Sequence, residues 1–108
     1  MNKIRALLGK FASDEIAEAV YLLRRFPKDE RSLALLSKLP KTERVEKEVE
    51  FLTRRCDRMR EALSSLSRED RELLEARHWR GERDPFHASE LRRAEERLCG
   101  ALAEADSR

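Results

Sequence analysis

The sequence predicts an all-α chain: short N-terminal helices, one long heptad-patterned helix and a C-terminal helical pair. The first observation behind this is composition. Of 108 residues, 43% are charged, 40% hydrophobic and only 6% aromatic, and Leu, Ala, Glu, Arg and Lys all favour helix. The second is the scarcity of turn residues, with three glycines and three prolines, far too few for the regularly spaced turns of a sandwich or barrel. The third is an uninterrupted run of apolar residues at heptad spacing in the middle of the chain. The length holds one sizeable core, and the organisation read from it is 1–40, 41–66 and 67–108.

In the first segment, Ile4, Leu7 and Leu8 stand at helical spacing before Gly9. Ser13-Asp14-Glu15 marks a helix start with an acidic first turn. Ile16, Val20, Leu22 and Leu23 form its apolar stripe, and Phe26-Pro27 is expected to end it, because proline lacks the N–H that continues a helix. A second short helix over Asp29–Lys38 places Leu33, Leu36 and Leu39 on one face before Pro40.

The middle segment is the most regular. Thr42 caps a helix whose apolar positions are Val45, Val49, Leu52, Cys56, Met59, Leu63 and Leu66, at successive spacings of 4, 3, 4, 3, 4 and 3. That is the a/d pattern of a coiled-coil seam. At ~1.5 Å per residue the helix is roughly 35 Å long, so it spans the body or protrudes from it. Two readings of the seam stand: packing along the chain's own helices, or dimerisation through these seven residues. Glu43, Glu46, Glu48 and Glu50 precede Arg54, Arg55, Arg58 and Arg60, an order that matches the helix dipole and offers pairs such as Glu50 with Arg54.

In the last segment Ser67 caps a helix, with Asp70 at the capping-box position. Leu73, Leu74 and Trp79 are its apolar members, and Gly81 sits where a C-terminal cap belongs. Asp84-Pro85 opens the final helix, proline being favoured at the first helical position, with Ser89 as an alternative cap. Leu91, Ala94, Leu98, Ala101, Leu102 and Ala105 form its apolar face, and residues 106–108 are expected to fray.

The totals and motifs exclude several chemistries. Twenty-four Lys and Arg against 22 Asp and Glu leave a net charge of +2, too balanced to name a polyanionic partner. Arginine outnumbers lysine, which suits bidentate contacts to carboxylate or phosphate and also follows from a GC-rich genome. No apolar run approaches the ~20 residues that span a bilayer, and Met1-Asn2-Lys3-Ile4-Arg5 lacks the apolar core of a signal peptide, so a cytoplasmic location is expected. Cys56 and Cys99 read as reduced, buried thiols. No phosphate-binding glycine loop is present, and His78, His87 and Cys99 have no zinc-site spacing. Nothing pairs a nucleophile with a base. Neither an enzyme nor a cofactor or metal site is expected.

The stretch Leu66-Ser67-Arg68-Glu69-Asp70-Arg71-Glu72-Leu73-Leu74-Glu75-Ala76-Arg77-His78-Trp79-Arg80-Gly81 resembles the opening helix of the sigma factor region-four helix-turn-helix. Arg71, Leu73, Leu74, Arg77, Trp79 and Gly81 fall near its pattern, with His78 where an aromatic commonly lies. Arg97-Leu98-Cys99-Gly100-Ala101-Leu102 is similar to the end of that family's recognition helix. Together with Tyr21-Leu22-Leu23-Arg24-Arg25-Phe26-Pro27 and the long helix from Val45, the chain resembles small phage transcriptional regulators of the ArpU and RinA type.

That resemblance implies a homodimeric regulator of phage or prophage genes in the cytoplasm of a bacterial host. Its last helix would enter the major groove of double-stranded DNA, and RNA polymerase is a further partner it suggests. Arg92, Arg93 and Arg97 would face DNA, with Arg80 and Arg83 on the backbone. The departure is the short interval between Gly81 and Leu98, where the family's middle helix has no clear counterpart. Either that helix is trimmed to a turn around Pro85-Phe86, or residues 85–105 form one continuous helix and the DNA-reading geometry is lost. The alternative function is a helical protein-interaction module, homodimeric or gripping a partner helix, without direct DNA binding.

Overall fold

A computed structural model describes residues 11–106. The helical spacing at Ile4, Leu7 and Leu8, the N-terminal leader reading and the fraying of residues 107 and 108 concern positions outside that range, whereas Asp106, also expected to fray, is the last residue of a helix and is held by Arg58 at 2.7 Å. Among the described residues the chain is all helical, with four α-helices: α1 Ser13–Leu36, α2 Glu43–Ser64, α3 Arg68–His78 and α4 Ala88–Asp106. A single 3-10 turn, Pro85–His87, leads directly into α4.

The two short N-terminal helices expected from the sequence are one helix of 24 residues, with Pro27 inside it. A proline here removes the donor that would have met the carbonyl four residues earlier, which is that of Leu23. Trp79 supplies the missing donor: its indole Nε1–H donates to the Leu23 oxygen at 2.9 Å, and its ring stacks on Phe26 with centroids 6.1 Å apart. A residue 56 positions away thus repairs the break, which no local pattern around Phe26-Pro27 discloses. Ser13 is not the cap. Ala12 holds that position and its amide donates to the Glu15 carboxylate at 3.0 Å.

The α2 expectations hold locally. Thr42 Oγ1 accepts from the Val45 amide at 3.2 Å, and Arg54 reaches Glu50 at 2.6 Å. Ser67 caps α3 through the Asp70 amide at 3.1 Å. Gly81, at φ +70°, turns the chain out of α3, and the Glu82 amide donates back to the Ala76 carbonyl at 2.8 Å. Asp84 accepts from the Phe86 amide at 3.0 Å and Pro85 occupies the first position of the 3-10 turn.

One core joins all four helices. It contains Ile16, Ala19, Leu23 and Phe26 of α1, Cys56, Met59, Ala62 and Leu63 of α2, Leu74 of α3, and Ala94, Leu98, Cys99 and Leu102 of α4. Leu23, Leu74, Leu98 and Cys56 are wholly enclosed. Cys56 and Cys99 are buried free thiols, and burial pushes the Cys56 thiol pKa up. The body measures 48 × 34 × 23 Å. Part of its length is a two-helix arm, made of the end of α1, the connection over residues 37–42 and the start of α2. None of Leu35, Leu36, Leu39, Val45 and Val49 on this arm joins the core.

Candidate interaction surfaces

The seven seam residues separate into two groups. Leu52, Cys56, Met59 and Leu63 are buried by the chain's own helices, whereas Val45, Val49 and Leu66 are only half-buried. Dimerisation along the full seam is thereby corrected: its enclosed stretch serves the core of one chain and has no face left for a twin. What remains outside is the part of the seam carried by the arm. There Val45 and Val49 lie in the same end of the molecule as Leu35, Leu39 and Phe51, which are 64%, 49% and 55% exposed. A shallow hollow lined by Leu35, Leu36, Phe51 and Leu52, with Arg25 and Asp29 beside them, runs along the two helices.

The base of the arm is fastened by charge. Asp29, buried on α1, accepts from Arg55 through both carboxylate oxygens at 2.7 Å, and Arg25 lies 3.6 Å away. The Asp29 hydrogen bonds raise the Arg55 pKa. A bidentate pair of this kind fixes orientation as well as distance. Arg55 also rests on the Phe51 ring, 5.0 Å from its centroid. Arg60 reaches Glu30 at 3.1 Å and closes a second tie between α1 and α2.

The five arginines proposed as DNA contacts occupy different situations. Arg97 is a structural tie, its guanidinium donating to both oxygens of buried Asp70 at 2.9 and 3.0 Å. Asp70 therefore spends its carboxylate on α4 rather than completing the cap of its own helix. Replacing Arg97 strands a buried carboxylate, so its loss cannot be read as loss of a ligand contact. Arg80 pairs with Glu82 at 2.6 Å, which raises the Arg80 pKa through that hydrogen bond. Arg92 lies 3.7 Å from Glu96. Arg83 and Arg93 are exposed.

The interval between α3 and α4 contains no middle helix. A 3-10 turn over Pro85–His87 stands in its place, as the first alternative has it, and leads straight into an α-helix that begins at Ala88 rather than Pro85. No family model matches this chain, and searches of curated proteins and of solved structures returned no match.

Two further links were not anticipated. His78 joins three helices: Arg24 donates to its Nδ1 at 3.1 Å, and its Nε2 meets Glu95 at 2.6 Å. Because Arg24 brings only N–H groups, Nδ1 must accept, so the hydrogen sits on Nε2 and points to the carboxylate. The position that a family pattern assigns to an aromatic is instead a polar rivet. Arg58 likewise binds α2 to the end of α4, through the Leu102 carbonyl at 3.3 Å and Asp106 at 2.7 Å. The sequence carried a weak signal for these pairs, since each joins opposite charges or polar groups far apart in the chain. With so many charged residues, nothing singled them out.

Between α3 and the start of α4 lies a groove of about 460 Å³, floored by Leu73, Ala76 and Leu91. One end is formed by the turn that carries Asp84 and His87, whose side chains are hydrogen-bonded to each other. Phe86, between them in sequence, is 90% exposed. Among the described residues, no group of His, Cys, Asp and Glu is placed to hold a metal ion, and no helix is long and apolar enough to cross a membrane.

Proposed function

We propose that this chain is a helical protein-interaction module that self-associates through its two-helix arm. One observation carries the reading: Leu35, Leu39 and Phe51 stand exposed beside half-buried Val45 and Val49, an apolar end on a chain otherwise rich in charge. Large apolar side chains left exposed at one end of a charged molecule mark contact sites. A second copy suits it electrostatically. Residues 38–50 carry Lys38, Lys41, Arg44 and Lys47 against Glu43, Glu46, Glu48 and Glu50, a zero sum, so two arms approach without net repulsion.

Sedimentation tests this. The 12.7 kDa chain is expected to run as a dimer at tens of micromolar. A Leu35→Asp, Leu39→Asp variant should run as a monomer with its helical circular dichroism unchanged. A wild-type monomer at 100 micromolar, or a variant that stays dimeric, defeats the reading.

A second reading, the DNA-binding regulator, draws support from Arg83, Arg92 and Arg93, three exposed cations around the start of α4. An electrophoretic shift with duplex DNA, lost when these three are changed to Ala and Arg97 is kept, would favour it over the module.

A further inference from the structure

We propose that the groove between α3 and the start of α4 docks an amphipathic protein segment bearing Lys or Arg on both sides of an apolar anchor. The floor supplies the first half of the argument. Leu73, Ala76 and Leu91 offer apolar area in a concave site, and a helix or turn that brings a Leu-type side chain would remove that area from water. A nucleic-acid backbone has no group that gains from such a floor.

The rim supplies the second half. Glu69, Glu72, Glu82, Asp84 and Glu90 border the groove, against Arg77 and Arg80. The border thus sums to three negative charges, with His87 taken as neutral, in a chain whose total is +2. Local pairing sharpens the picture. Arg80 is engaged by Glu82, Glu72 by Arg68 at 3.1 Å, and Asp84 by His87, which leaves Glu69 on α3 and Glu90 on α4 as the border carboxylates outside these pairs. Phosphates are repelled by such a border, while a cationic segment is drawn to it and set in register by carboxylates on both walls.

This groove is separate from the self-association surface, since groove and arm share no residue. The test therefore uses the full chain in the Leu35→Asp, Leu39→Asp background, so that dimer formation does not enter the readout. The probe is a fluorescein-labelled 14-residue helical peptide of Leu and Lys, with its Leu and Glu counterpart as comparison. Saturable one-to-one binding of the Lys peptide is expected, with amide shifts at Leu73, Ala76 and Leu91. A Glu69→Gln, Glu72→Gln, Glu90→Gln variant should bind at least tenfold more weakly, whereas Glu43→Gln, Glu46→Gln on the arm should leave binding unchanged. Equal binding of the Glu peptide, undiminished binding to the groove variant, or shifts confined to the arm overturns the proposal. A random-sequence duplex that perturbs the same three amides also overturns it and assigns the face to nucleic acid.

Discussion

At the scale of single residues, the Asp84–His87 pair shows how a short turn is held by charge. The hydrogen bond from His87 holds the Asp84 pKa below its ordinary 3.8, and the same bond holds His87 above its ordinary 6.5. The raised histidine favours the turn below pH 6.5, and that contribution fades as pH climbs through its shifted value. The lowered carboxylate favours the turn above 3.8, and its contribution fades as pH falls. Both are present together between about pH 4 and 6.5. In an NMR titration, His87 is expected to change charge above 6.5, and Asp84→Asn should return it to the ordinary value. Protection of the Phe86 amide, corrected for intrinsic exchange, should be greater at pH 5.5 than at pH 8 and lose that difference in the variant.

At the scale of elements, α1 is the instructive case. Read locally, Phe26-Pro27 ends a helix. Read with Trp79 in place, the orphaned Leu23 carbonyl has a donor and the helix runs to Leu36. A double-mutant cycle isolates the effect. Trp79→Phe should cost about 1–2 kcal/mol by leaving the carbonyl unmet, apart from any change in ring packing. In a Pro27→Ala background, residue 27 regains an N–H that can serve Leu23, and the same Trp79→Phe change should cost less. Equal costs in the two backgrounds would show that the indole acts through its ring alone. The elements that were legible in sequence are those whose start and stop signals are local: Thr42 for α2, Ser67 for α3, Gly81 for its exit and Pro85 for the turn before α4. The seam of α2 was legible as a pattern but not as to its mate, because a heptad stripe has the same spacing whether a neighbour in the same chain or a second copy covers it. The groove border was visible only as scattered glutamates until α3 and α4 were set side by side.

At the scale of the whole molecule, all four helices contribute to one core, so damage to any of them should be felt throughout. Leu98 is wholly enclosed on α4 among residues drawn from every helix. Leu98→Ala is expected to cost about 2–5 kcal/mol, with circular dichroism and calorimetry reporting one transition. Two separated transitions would mean that the C-terminal helices unfold by themselves. That outcome would revive the partition at residue 66 that the sequence suggests. The arm differs from the rest in this respect. Its ties at Asp29 and Glu30 lie at its base, and Leu35 and Leu39 beyond them make no part of the core. Substitutions there should therefore change association while sparing the melting temperature of the dilute, monomeric chain, and should remove any rise of that temperature with protein concentration.

The placement of Trp79 has a practical side. As the sole indole in the chain, wedged between Phe26 and a carbonyl of the first helix, it is a native optical gauge of whether the carboxy-terminal half is seated. Its emission should move to longer wavelength the moment that seat is lost, before any dye or tag has been introduced.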